Sequence, residues 1–196
     1  PTTTVAPTTT VAPTTTTTMP EGLVDSIERM GQATIRIEAT GTFVDSDAAF
    51  SSDMDESVFQ GSGFIFDPSG LALTNNHVVA GAGLVHVWLE GEDSPRTAQI
   101  LGRSECSDLA VIDLSGDGYN YLELSTSEIW TGQKIYAAGF PNGSVDLTMT
   151  SGIISKRHVT GGGNHYWASL DHELEHDARL NPGSSGGPLV TEDAKV

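Results

Sequence analysis

The chain has 196 residues, 37% of them apolar, and 22 glycines. That allows one domain with a real core and suits a turn-rich β protein better than a helical one. Twenty-six acidic against nine basic residues give a net charge of −17, a surface that repels phosphate backbones and excludes nucleic acid as a default partner.

The single cysteine, Cys106, excludes an intramolecular disulfide, so the fold has to rest on packing. A lone cysteine is expected as a small buried residue rather than as a nucleophile. No run of ~18 apolar residues is present to span a membrane as a helix.

Residues 1 to 20 are distinct material. PTTTVA occurs twice in tandem, at 1–6 and 7–12, PTTTTTMP follows, and neither a charge nor an aromatic ring precedes Glu21. Such a segment buries too little apolar surface to offset its ordering entropy, so residues 1–20 read as a disordered Thr/Pro-rich linker or stalk, open to O-glycosylation. Stalks of this kind sit outside the cell. The expected location is therefore extracytoplasmic: secreted, periplasmic or held at the surface through a segment upstream of residue 1.

From Glu21 the pattern changes. Leu23, Val24, Ile27 and Met30 recur at helical spacing and predict a short amphipathic helix over Glu21–Met30. "ATIRIEA", Ala33 to Ala39, alternates as a strand. Thr42 to Gln60 is polar and acidic and reads as a long surface loop; its carboxylate spacing fits no EF-hand calcium loop. Then come "GSGFIFD", the turn Asp67-Pro68-Ser69-Gly70, "LALTNN", "LVHVWLE", "TAQILGR" and "LAVIDL", and later "KIYAAGF", "DLTMTSGIIS", "HYWASL" and "PLVT". Many short strands with closely spaced turns predict an all-β sandwich or barrel.

Two protease signatures lie close together near the end of the chain. His172-Glu173-Leu174-Glu175-His176 spells H-E-x-x-H, which binds zinc only if a helix puts both imidazoles on one face. Here "NHYWASLD" upstream is β-like, and Asn181-Pro182-Gly183 would end any helix within about one turn. A strand would turn the glutamates away from any metal held by the two histidines. Neither a metal nor a cofactor is therefore expected.

The second signature is Gly183-Ser184-Ser185-Gly186-Gly187. Serine chemistry needs a nucleophile, a base, an acid that orients the base, and amide donors for the oxyanion. Gly-x-Ser-Gly-Gly centres on Ser185, with Ser184 as the alternative. Six histidines are available: His77, His86, His158, His165, His172 and His176. His77 ends an apolar strand where a turn begins; His86 lies mid-strand, where a structural role is expected. For the acid, Asp108 opens "LAVIDL" and Asp113 is its rival inside that strand.

At this point the residues resemble a family. "GSGFIF" at 61–66, "LTNNHVV" at 73–79, "SDLAVIDL" at 107–114 and "NPGSSGGPLV" at 181–190 are similar, in order, to the HtrA/Deg branch of chymotrypsin-fold serine proteases. "AAGFPNG" and "TSGIIS" resemble it too. The resemblance covers about residues 22 to 196. It implies a trypsin-like protease domain over 21–196, with two perpendicular antiparallel β-barrels and the second barrel incomplete before Val196. It makes His77 the general base, Asp108 its orienting acid and Ser185 the nucleophile, with Gly183, Ser184 and Ser185 forming the oxyanion hole.

The same resemblance implies a serine endopeptidase acting on polypeptides, unfolded or damaged ones above all. It also implies assembly as a homotrimer and a PDZ domain following the protease domain. Ser184 stands where the family usually has Asn, with its amide expected to remain available. Arg179, Leu180 and Asn181 are the expected substrate-pocket residues, with Arg179 turned outward and Leu180 lining a small apolar pocket. The other reading is a catalytically silent barrel serving as a protein-binding or chaperone module on a surface stalk.

Overall fold

The computed structural model describes residues 19–41, 57–159 and 173–196. The tandem PTTTVA repeats, most of the acidic 42–60 stretch, "HYWASL" and His172 lie outside these residues.

A 3-10 helix, Ile27–Ala33, leads into β1 (Thr34–Gly41). There follow β2 (Ser57–Ile65), β3 (Leu71–Asn75), the four-residue α1 (Asn76–Val79) and β4 (Ala82–Trp88). Next come β5 (Arg96–Ser104), β6 (Leu109–Asp113), β7 (Lys134–Gly139), a short 3-10 turn at Pro141–Gly143, and β8 (Thr148–Val159). The last strands are β9 (Glu173–His176) and β10 (Leu189–Val190).

β1 to β6 close into a barrel in the order β1-β2-β3-β6-β5-β4. Closure leaves no strand edge open to pairing with another chain. Alternation decides what fills it. Ile35 and Ile37 of β1, Val85 and Val87 of β4, and Ala110 and Ile112 of β6 are buried in one cluster. Arg36 and Glu38 take the outer face, where the Arg36 guanidinium lies 3.8 Å from the Trp88 ring centroid, a cation–π contact.

The second body is a four-stranded antiparallel sheet in the order β10-β7-β8-β9. Phe64 of β2 packs with Ala138 of β7, Val190 of β10 and Met30 of the first 3-10 helix. This shared cluster makes a seam along which residues from the two bodies meet.

Three expectations need correction. The helix expected over Glu21–Met30 is a 3-10 helix displaced to Ile27–Ala33. Val24 N–H instead donates to the Tyr121 carbonyl at 2.9 Å and Tyr121 N–H to that of Gly22 at 2.9 Å. Tertiary pairing overrides the periodic signal in so short a segment. The loop expected over 42–60 gives up its last residues, since Ser57 to Gln60 pair with Gly41 to Glu38. Cys106 is exposed rather than buried, because it lies in the turn joining β5 to β6.

Candidate active site

His77 is placed by the abrupt end of β3. Asn76 N–H donates to the Asp108 carbonyl at 3.0 Å and Ala80 N–H to that of Asn76 at 2.8 Å, closing the single turn of α1. Val78 and Val79, 1% and 0% exposed, anchor that turn in the barrel core. Val78 fits because Gly61 has no side chain; a Cβ there would stand 2.6 Å from Val78 Cγ1.

Asp108 lies in the turn before β6 with φ of 49°. This left-handed conformation is one that aspartate tolerates better than most side chains. Both of its carboxylate oxygens face His77. Oδ2 is 2.7 Å from the ring Nδ1, and Oδ1 accepts the His77 backbone N–H at 2.9 Å. The Asn75 amide donates to the Asp108 carbonyl at 2.9 Å, tying the turn to the end of β3. Asp113, the rival acid, accepts the Ser115 N–H within its own loop.

Ser185 comes from the second body. Its carbonyl accepts the Ser62 N–H at 2.8 Å, holding the loop against β2. Ahead of it, Ser184 N–H donates to the Asn181 carbonyl at 3.0 Å, closing a turn with Pro182 second and Gly183 third. Gly183 has φ of +93°, the value a type II turn requires at that position and one that favours glycine.

The Pro182 carbonyl accepts the Asn142 N–H at 2.7 Å. In a trans peptide the following N–H points the opposite way, so this bond aims the Gly183 N–H away from Asn142. Among the described residues neither the Gly183 nor the Ser185 N–H has a partner. Ser184 departs from expectation, since its N–H is committed inside the turn and is not a third donor.

A cavity of about 310 Å³ opens beside this loop, lined among others by Asn75, His176, Leu180, Asn181, Ser184 and Ser185. Arg179 does not line it. Ala178 is 6% exposed, Asp177 accepts the Ile153 N–H at 2.7 Å, and the chain turns the exposed Arg179 outward while its carbonyl accepts from Thr150 at 2.9 Å.

His176, the last residue of the H-E-x-x-H spelling, lies on a strand and not on a helix. It also lines the cavity, and among the described residues its Nδ1 is buried without a hydrogen-bond partner. Sequence reasoning missed Ser62 and Asn142. The only signal for Ser62 was its place between two glycines, and Asn142 acts through its backbone, which carries no side-chain signature.

A closed barrel presenting a His–Asp pair, packed along a seam against a sheet presenting a Gly-x-Ser-Gly-Gly loop, defines the trypsin-like class of β folds. A family model described as the trypsin-like peptidase domain matches residues 61–196. The chain belongs to that family.

Its relatives there are HtrA/DegP-type proteases. It is 37% identical over 139 residues to a "Probable periplasmic serine endoprotease DegP-like" of Chlamydia pneumoniae, covering 70% of this chain and 27% of that protein. It is 33% identical over 175 residues to the "Serine protease Do-like HtrA" of Bacillus subtilis, covering 85% and 38%. The chain thus spans roughly a quarter to two fifths of the length of these relatives.

Among solved structures, "HtrA-type protease AlgW with tripeptide" superposes with a TM-score of 0.71 at 31% identity, over 87% of this chain and 50% of that one. The Rv3671c protease in its inactive form shares the fold, with a TM-score of 0.68 at 20% identity, over 91% and 84%. Among the described residues no helix is long and apolar enough to cross a membrane.

Proposed function

We propose that residues 21–196 form a serine endopeptidase domain that hydrolyses peptide bonds of unfolded or damaged polypeptides outside the cytoplasm. The observation that carries the reading is the grip of Asp108 on His77 through both carboxylate oxygens. A carboxylate accepting from Nδ1–H leaves Nε2 as the basic nitrogen.

In this reading His77 Nε2 takes the proton of the Ser185 hydroxyl as Ser185 Oγ attacks the scissile carbonyl. The negative charge that develops on the carbonyl oxygen meets the N–H groups of Gly183 and Ser185, fixed in place before the reaction. The intermediate collapses, and His77 passes its proton to the departing amine. Water, activated by the same imidazole, then frees the acyl group from Ser185. Leu180 and Asn181 receive the substrate side chain before the cut. The resemblance extends the proposal to a homotrimer and to a PDZ domain following this one.

The test is cleavage of casein and labelling by a serine-directed fluorophosphonate, with Ser185→Ala alongside. Cleavage and labelling that both vanish in Ser185→Ala support the reading. A folded wild-type protein that neither cleaves nor labels overturns it in favour of a silent binding barrel.

A further inference from the structure

We infer that Ser62, a residue outside the His77, Asp108 and Ser185 constellation, is a positioning residue that holds the oxyanion-binding turn in its donor-forward shape. The inference rests on the peptidase reading above. Ser62 is 0% exposed in the middle of β2, and both its hydroxyl and its backbone N–H bond to the second body.

Its hydroxyl donates to the Gly183 carbonyl at 2.7 Å and accepts the Phe140 N–H at 2.9 Å. Its backbone N–H donates to the Ser185 carbonyl at 2.8 Å. Its own carbonyl accepts from the Thr74 hydroxyl at 2.7 Å. One residue of the first body thus fixes the peptide after Gly183, the peptide after Ser185 and the start of the Phe140–Gly143 turn.

The consequence for catalysis follows from peptide geometry. Two peptide planes decide where the Gly183 N–H points. The plane before Gly183 is held by Asn142, which takes the Pro182 carbonyl. The plane after it is held by Ser62, which takes the Gly183 carbonyl. The two anchors are themselves linked, because the hydroxyl that holds Gly183 also receives the N–H that opens the turn containing Asn142.

A hydroxyl can donate and accept at once. A methyl in its place leaves a buried carbonyl and a buried N–H without partners, and both then gain by rotating toward any other group in reach. Gly139 lies close against this hydroxyl, and a Cβ there would stand 2.9 Å from it.

A positioning role and a merely structural one separate in kinetics. An oxyanion donor acts in the transition state and hardly at all in substrate binding, so its misplacement lowers kcat and leaves KM alone. The experiment measures kcat and KM on a peptide ester, the inhibition constant of a peptidyl boronate, and the thermal midpoint, for the full chain and for Ser62→Ala.

The expected result is a kcat lowered by roughly 10- to 100-fold, less than or comparable to loss of an oxyanion donor outright, with KM changed by less than about two-fold. The boronate constant rises by the same factor as kcat/KM falls. Should Ser62→Ala fail to fold, Ser62→Cys, slightly larger, keeps a donor and an acceptor at this position but weakens both bonds, and it is expected to show a smaller loss with the same parallel.

A folded Ser62 variant with unchanged kcat and boronate affinity overturns the inference and leaves the peptidase reading intact. So does a kcat loss with unchanged boronate affinity. A wild-type protein that neither turns over nor labels removes the reading and this inference with it.

Discussion

Asp108 and His77 are joined twice, ring Nδ1 to Oδ2 at 2.7 Å and backbone N–H to Oδ1 at 2.9 Å. The second bond makes the first directional. With the imidazole's own backbone held by one oxygen, the other oxygen has a fixed line to the ring. The pair is largely shielded from water, at 22% and 8% side-chain exposure.

Asp108→Asn tests the proposed role of this pair. A backbone N–H can only donate, so the asparagine oxygen turns to it and the NH2 group turns to Nδ1. Nδ1 then has to accept, the ring proton moves to Nε2, and the base is lost. The expected outcome is a kcat lower by roughly 10³- to 10⁴-fold, with KM and the thermal midpoint little changed. Retention of a tenth of the wild-type kcat on a peptide substrate is incompatible with His77 acting as the base.

Gly186 is the second test. Its φ is +84°, and a Cβ there would overlap the Ser62 carbonyl oxygen and the Thr74 hydroxyl and stand 2.9 Å from Asn75 N. None of these is the end of a flexible side chain. Gly186→Ala is expected to lower unfolding free energy by about 2–4 kcal/mol and to slow fluorophosphonate labelling of Ser185. Gly91 is the control, with φ of +78° and nothing within 4 Å. Gly91→Ala is expected to lose about 1 kcal/mol, the backbone cost alone. Equal losses in urea unfolding of the two variants would show that the close approach at Gly186 contributes nothing.

The strands were legible wherever one face is buried. β1, β4 and β6 alternate in the sequence because they alternate against a closed barrel, and their expected bounds fall within two residues or so of those observed. The 3-10 segment was displaced because Leu23 and Val24 have apolar side chains but a backbone paired with Tyr121, and no local periodicity reports a partner a hundred residues away. Leu180 lines the cavity beside the Ser185 loop while Arg179 is exposed outside it, the arrangement that avoids the cost of an unpaired buried guanidinium. Ser62 and the Asn142 backbone were illegible as supports of the Gly183 turn. Their roles exist only once β2 and the Phe140–Gly143 turn are brought against that loop.

The H-E-x-x-H spelling predicts chelator sensitivity if it binds a catalytic metal. Glu173 to His176 form β9, paired antiparallel with β8, and a strand sends neighbouring side chains to opposite faces. The described part of the motif therefore lacks the one-face geometry that the metal would need. Dialysis against EDTA is expected to leave both casein cleavage and fluorophosphonate labelling unchanged. Activity lost to the chelator and restored by zinc would reverse the assignment of the chemistry to Ser185.

The Glu92–Arg96 pair gives a pH-dependent prediction with a definite sign. The Arg96 guanidinium forks onto Glu92, 2.9 Å from Oε2 and 2.5 Å from Oε1, and reaches the Tyr119 hydroxyl at 2.9 Å. The hydrogen bonds from Arg96 hold the Glu92 carboxyl below its ordinary value. A carboxyl depressed in the folded state contributes stability above its unfolded pKa, and that contribution is lost as pH falls through the folded value. The two side chains are 33% and 43% exposed, so water and salt reduce the contribution to about 0.5 kcal/mol. Glu92→Gln is thus expected to unfold at slightly lower urea than wild type at pH 7. The two curves should converge as the pH drops below the carboxylate range and also as salt is raised. A difference that persists undiminished in acid would place the contribution in packing against Tyr119 rather than in charge.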